Sequence, residues 1–444
     1  MKRYGWIIAL LAAMILTGCA DTAEEETREP VTLVYASISD SGGKQMVDTF
    51  NRNHRREGIR IEYRKYLDED GRSGRDRLLT EILAGDIPDI IDLGDGSGLP
   101  YLQMVRKGYL EDLMPYIEND PDLGAEGALW EAPLKAAEIG GGLYALFPGV
   151  IVRTLVGDAD IVGDRYSWAL SDLRETLSSM PDNSTVMEFY RTKSEIFSYV
   201  FRMSVDSYVD WDTCETDFDS GRFRAALEFV NSFPDEYRGF DFEGGEARAE
   251  DEAYDYWRAG QQMLSMAYVV SPRCIQALNA VFGHGGQAGL VGYPVEDGRS
   301  GSFFQIQGSK MAMSSACRNK EAAWKFIRQM IMPQGHTEVS GQSYIPINHE
   351  DYDKAIRLTV RPQSFWVYWY FNENITYKIR PASKEQIARF EDFINSIDRT
   401  DLYDTTLYDI VYDACGPYFA GDRTMDETIR LLDNRVSVYL HEQK

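Results

Sequence analysis

The chain has 444 residues and a mass of 50.5 kDa, room for two or three compact units at roughly 100 to 200 residues each. Apolar residues make up 44%, aromatic residues 12% and charged residues 26%, which excludes a polytopic membrane protein and a disordered chain. A formal charge of −25 without any basic block argues against nucleic acid as a partner.

The N-terminus pairs Lys2 and Arg3 with an apolar run from Trp6 to Leu16, then Leu16-Thr17-Gly18-Cys19. That run is too short for the ~20 residues that cross a bilayer as a helix, so it reads as the h-region of a signal peptide over residues 1–18. The final four residues resemble the lipobox of bacterial lipoproteins, which makes Cys19 the expected lipidated residue and anchors the protein on the outer face of the cell membrane. Residues 19–30 are polar and acidic and read as a flexible tether. Of the later cysteines, Cys214, Cys274, Cys317 and Cys415, none sits in a CxxC or Cys/His pattern suited to zinc. Two disulfides and four buried thiols are both open, and neither a metal nor another cofactor is expected.

From Val31 strand and helix signals alternate. Val31 to Ala36 reads as a buried strand, Met46, Val47 and Phe50 as a helix face, and Ile59, Ile61 and Tyr63 as a second strand. Leu78, Leu79, Ile82 and Leu83 give a helix stopping at Gly85, and Asp89 to Leu93 a third strand, ahead of a helix through Leu102 and Val105. This βαβαβ order predicts an α/β fold with a mostly parallel sheet. Ligands sit at the carboxyl ends of such strands, which marks two glycine-rich loops, Ser37 to Gly43 with Asp40 and Ser41, and Gly94 to Gly98 with Asp95 and Ser97. Further on, Ser171 is the expected N-cap of a helix carrying Leu173 and Leu177. Ser383 with Gln386 and Thr424 with Glu427 match the capping box, each before an apolar helical face.

Several segments together resemble the extracellular solute-binding proteins of ATP-driven (ABC) importers, in the carbohydrate-binding group that includes maltose-binding protein. They are Phe50 to His54 with the following strand, Leu79 to Leu93, Gly108 to Ile117, Leu143 to Pro148, Tyr256 to Met266, Ser314 to Ile331, and Gly421 to Thr428 with Asn434 to Glu442. The resemblance implies the two-lobe, type II periplasmic-binding-protein fold, each lobe a mostly parallel sheet flanked by helices, with the ligand in a cleft between lobes. It implies a first lobe of 31–146 plus 310–342 and a second of 149–302 plus 349–444. Hinge crossings are expected near 147, 303–309 and 344–347. It implies capture of a sugar or oligosaccharide by cleft closure, delivery to a permease, and a monomer without catalytic residues.

A sugar offers hydroxyls to polar groups and C–H patches to aromatic faces. Tyr268, Phe303, Phe304, Trp366 and Trp369 are therefore the candidate aromatic contacts, the last two from the dense cluster Ser364 to Phe371. A secreted carbohydrate-active enzyme is one alternative, although no G-x-S-x-G, H-E-x-x-H or P-loop motif occurs. A ligand-sensing or adhesive surface lipoprotein on the same fold is another.

Overall fold

The computed structural model describes residues 30–38, 43–66, 74–94, 99–187, 192–202, 204–235, 255–283, 286–296, 298–333, 344–360, 366–369, 376–379, 381–402 and 404–443. Its strands are β1 (Val31–Ser37), β2 (Ile59–Lys65), β3 (Ile90–Asp92), β4 (Gly149–Asp158), β5 (Val209–Asp210), β6 (Glu215–Thr216) and β7 (Ser265–Val269). They continue with β8 (Ala288–Leu290), β9 (Phe303–Gln307), β10 (Met311–Met313), β11 (Ile345–Pro346), β12 (Trp366–Trp369) and β13 (Thr376–Ile379).

The first sheet has the order β10-β3-β1-β2. β1 runs parallel to both β2 and β3, with Val31 opposite Ile59 and Tyr35 opposite Ile90, while β10 closes the edge antiparallel to β3. Side chains alternate across the sheet. Leu33, Tyr35, Ile61, Ile90, Met311 and Met313 therefore enter one core, and Ala36, Ile91 and Ala312 enter another on the opposite face. Helix Gly43–Asn53 covers the first face with Val47 and Phe50, pinned to β2 by Asn51, whose amide accepts Ile61 N–H at 2.7 Å and donates to Ile61 O at 2.9 Å. Helix Lys320–Ile327 returns to the same face, where Phe326 packs 5.2 Å from both Tyr35 and Phe50. Helix Arg75–Leu83 lays Leu78 and Ile82 on the other face.

The second sheet is organised by β4. Its ten residues give it two partners along each edge, β11 then β7 on one side and β9 then β8 on the other. Each of these pairings is antiparallel, so the expectation of a mostly parallel sheet in the second lobe is corrected. The reason is connectivity: β9 leads back toward the first sheet alongside the strand that left it. Val150, Val152, Val156, Ala267, Val269, Phe304 and Ile306 share one face and join the same core as the first sheet. Leu155 on the other face packs into a separate core with Phe201, Phe223, Leu432 and Val436.

Leu146 bridges Met311 of the first sheet, and three residues later Gly149 pairs with Gln307 of the second. The chain thus crosses between sheets twice side by side, outward through Phe147-Pro148 and back through Gly308-Ser309-Lys310. Gly308 adopts φ +73°, and a Cβ there would lie 2.8 Å from Pro148 Cγ, so this tight passage requires glycine. Both capping boxes form: Gln386 N–H reaches Ser383 Oγ at 3.2 Å, and Glu427 N–H reaches Thr424 Oγ1 at 3.3 Å. Ser171 is not an N-cap. The helix begins earlier, at Leu170, because Asp172 accepts the Ala169 N–H at 2.9 Å and supplies the cap from inside the first turn. Cys214, Cys274, Cys317 and Cys415 are all free and buried, which settles the disulfide question for these thiols.

Candidate ligand cleft

The carboxyl ends of β1 and β3 meet the returning crossing at Asp92. This fully buried carboxylate accepts hydrogen bonds from Tyr35 Oη at 3.1 Å, Ser37 Oγ at 3.2 Å, Ser309 Oγ at 3.1 Å and Gly94 N at 3.0 Å. Four donors compensate the desolvation of its charge. The knot fixes Gly94 just after β3 and ties Ser309 of the returning crossing to the first sheet. The candidate residues on the two adjoining loops, Asp40, Ser41, Asp95 and Ser97, lie outside the described residues, as does Cys19.

Beyond the two crossings, the second sheet contributes a polar patch. Arg153 is the one charge inside the apolar run of β4, standing opposite both Tyr268 of β7 and Phe303 of β9. Its Nε donates to Gln305 Oε1 at 2.6 Å, its Nη1 donates to Tyr268 Oη, and its Cζ lies 4.0 Å from the Tyr268 ring centroid. Tyr268 is 48% exposed, so part of its ring stays open beside the guanidinium. Phe303 is half-buried and packs 5.9 Å from Tyr293. Phe304, on the opposite face, is fully buried in the core and has no surface to offer a ligand. Trp366 and Trp369 belong to β12, paired with β13; their side chains lie outside the described ones, and positions three apart on a strand belong to opposite faces.

A further segment, Asp398–Leu402, lies against the second sheet. It runs beside β9: Phe304 N–H donates to Arg399 O at 2.9 Å and Asp401 N–H to Phe304 O at 2.8 Å. Asp401 Oδ1 accepts Ile306 N–H at 3.1 Å. Burial raises the Asp401 carboxyl above its usual range, against the opposing pull of Lys310 and Arg153. Asp206 keeps contact with solvent, while the protein around it removes part of its hydration. That loss of water, ahead of the charge of Asp404, pushes its carboxyl up to about 6, with Arg106, Arg399 and Arg299 acting the other way.

Polar contacts also bridge the two lobes. From helix Tyr101–Arg106, Gln103 Nε2 donates to Tyr439 Oη at 3.0 Å and Arg106 Nη1 donates to Asp404 Oδ2 at 3.2 Å. The Arg106 guanidinium sits 3.4 Å from the Trp211 ring centroid. Tyr439 Oη donates to Asp404 at 2.9 Å, and Asp404 also caps its helix through Leu407 N–H at 2.9 Å. Arg106, Asp206, Arg399, Asp401 and Asp404 escaped the sequence reading. Arg153 left one usable signal, a charge in the middle of a strand otherwise buried on both faces. The segment Asp398–Leu402 left only a cluster of charges after a helix.

No protein-family model matches the sequence, and no curated protein is detectably similar to it. Solved structures are similar in fold. The sugar-binding protein MalE from Xanthomonas citri aligns with a TM-score of 0.53 at 16% identity, over 93% of this chain and 98% of that one. A periplasmic oligogalacturonide-binding protein from Yersinia enterocolitica gives 0.51 at 14% identity, over 93% of this chain and 100% of that one. A de novo designed cysteine esterase, ECH19, gives 0.52 at 13% identity, over 94% of this chain and 99% of that one. Two α/β sheets, each covered by helices and joined by adjacent antiparallel crossings, give this chain the two-lobe fold of the ABC-transporter solute-binding proteins.

Proposed function

We propose that the protein is a substrate-binding lipoprotein of an ABC importer. It captures an extracellular sugar or oligosaccharide between its lobes and passes it unaltered to a membrane permease. What supports the reading is the two-sheet fold with its paired crossings, together with the polar, partly exposed patch of Arg153, Tyr268 and Gln305 on the second sheet. Fold neighbours that bind sugars support the ligand class.

Ligand contacts from both lobes form together only when the cleft is shut, so binding shifts an open–closed equilibrium toward the closed form. The lobes are 31–146 plus 310–342 and 149–302 plus 349–444, rotating about residues near 147, 303–309 and 344–347. Tyr268 supplies the aromatic contact, with Phe303, Trp366 and Trp369 as further candidates. Asp40, Ser41, Asp95 and Ser97 contribute polar contacts from the first lobe. Signal cleavage before Cys19 and lipidation of that residue hold a monomer on the outer face of the membrane. Among the described residues no helix is long and apolar enough to cross a membrane.

The test is a thermal-shift screen of mono- and oligosaccharides, followed by calorimetry and small-angle scattering. A ligand at about 100 times its Kd stabilises by about 2.7 kcal/mol and raises Tm. A hit should also contract the particle and be recovered unmodified. Hydrolysis of the sugar would replace this reading with an enzyme, and a screen without any response would refute it.

A further inference from the structure

We propose that Arg153, Tyr268 and Gln305 together read a carbonyl oxygen on the bound sugar, carried by an acetamido or a carboxylate substituent. This names the substrate class for the functional reading above and rests on it. The three side chains share one face of the second sheet. Arg153 of β4 stands opposite Tyr268 of β7 on one side and Phe303 of β9 on the other, with Gln305 two residues further along β9. β4 follows the outward crossing and β9 leads into the returning one, so the patch lies within a few residues of both.

What each group has left to offer follows from who donates to whom. A guanidinium only donates, so the Gln305 atom 2.6 Å from Arg153 Nε is the amide oxygen, and the Gln305 NH2 is turned away from that bond. By the same rule the Tyr268 oxygen accepts from Arg153 Nη1, which leaves the phenol proton to be donated outward. The guanidinium also lies over the Tyr268 ring, with Cζ 4.0 Å from its centroid, and these contacts together hold it in place. The acceptors of the patch are thus engaged within it. Arg153 Nη2, the Gln305 amide hydrogens and the Tyr268 hydroxyl hydrogen meet no protein acceptor among the described residues. Next along the same face, Gln307 has the opposite setting: its amide donates to Ile306 O at 3.2 Å, so its carbonyl is turned away from that bond. Tyr268 is 48% exposed, which leaves its donor within reach of a ligand. A ligand hydroxyl over Arg153 would bring a hydrogen that nothing there accepts, and an ammonium would meet donors alone. A carbonyl or carboxylate oxygen accepts two or more of these bonds and brings no hydrogen. The expected order of affinity is therefore a carbonyl-bearing sugar, then its hydroxyl parent, then the amino sugar.

The experiment is calorimetry on the full mature chain at neutral pH with matched sets. One set is N-acetylglucosamine, glucose and glucosamine; another is N-acetylgalactosamine, galacturonate, galactose and galactosamine; the third is diacetylchitobiose, digalacturonate and cellobiose. At least one carbonyl-bearing sugar should bind about 10- to 100-fold more tightly than its hydroxyl parent, the range of one charge-assisted hydrogen bond, and the matching amino sugar should not bind. Binding of the acetamido sugars alone assigns the carbonyl to an amide, and of the galacturonates alone to a carboxylate; either supports the proposal. Gln305→Glu keeps the shape and the bond to Arg153 but turns the outward donor into an acceptor, so it should weaken the preferred sugar by about 10-fold or more and admit the amino sugar. Tyr268→Phe keeps the ring and removes the hydroxyl, and should weaken the preferred sugar by about 5-fold. Both variants should retain the parent circular dichroism spectrum. Hydroxyl or amino sugars binding as tightly as the carbonyl-bearing one would overturn the proposal and leave sugar capture intact. So would a carbonyl preference that both variants keep in full. Silence from every sugar would overturn the functional reading and this proposal with it.

Discussion

Replacing Arg106 with alanine should open the cleft. The side chain joins helix Tyr101–Arg106 of the first lobe to Asp404 and Trp211 of the second, so everything it loses is lost between lobes. Asp404 is 3% exposed, and removing one partner of a buried ion pair costs about 3–5 kcal/mol. Asp404 keeps the Tyr439 hydroxyl and the Leu407 amide, which brings the loss nearer to about 2 kcal/mol. The guanidinium over Trp211 adds about 1 kcal/mol. A total of about 3 kcal/mol moves a two-state equilibrium by about 100-fold. Small-angle scattering of the unliganded protein should show a larger radius of gyration for Arg106→Ala. A double-mutant cycle with Asp404→Asn in urea unfolding should show coupling of at least about 0.5 kcal/mol. An unchanged scattering profile together with additive effects would refute the latch.

One contribution to the pH dependence should come from Asp206, whose carboxyl is pushed from 3.8 up to about 6 because protein displaces water around it. The folded state holds that proton more tightly, so the stability it confers is present below the unfolded value and lost as pH rises through about 6. Asp206→Asn should therefore match the parent near pH 3 and gain up to about 1 kcal/mol above pH 7, a modest figure because solvent screens its tip; equal gains at both pH values would contradict this. Burial raises the thiols of Cys274 and Cys415 and pushes Cys317 up to about 12. Ellman's reagent should accordingly find none of the four internal cysteines in the native protein and all four in guanidinium. Gly149→Ala should destabilise by about 1–3 kcal/mol in thermal melts, since its Cβ would lie 2.5 Å from Ile345 O and closer still to the Tyr344 ring. Asp92→Ala, which strands three hydroxyl donors and an amide, should cost at least about 2 kcal/mol by the same assay.

The first sheet was readable because its signals are local. β2 carries apolar alternation, β1 and β3 are short apolar runs, their helices carry 3.6-residue spacing, and two later helices announce themselves through capping boxes at Ser383 and Thr424. Ser171 misled because Asp172 caps its helix from the other direction, which residue type alone does not distinguish. In the second sheet, partner choice is set by residues more than a hundred positions apart, as with Arg153 and Tyr268, and periodicity carries no information about such pairing. Tyr268 was legible as a ring at a strand's exposed end, whereas Phe303 and Phe304 differ only in which face of β9 they take. The segment Asp398–Leu402 gains its place from backbone pairing with Phe304, a residue almost a hundred positions earlier, and no local pattern encodes that.

The position of β10 has a consequence for biosynthesis. It completes the first sheet by covering the outer edge of β3, yet it is made more than two hundred residues after that strand. At ordinary elongation rates of about 5–20 residues per second, the β3 edge stands bare for roughly 10–40 s, and a bare edge is a template for wrong pairing. A chain wired in this way cannot finish its first lobe until Met313 of its 444 residues has left the ribosome. The excursion through the second lobe therefore delays folding, which keeps the polypeptide threadable while most of it is still being synthesised.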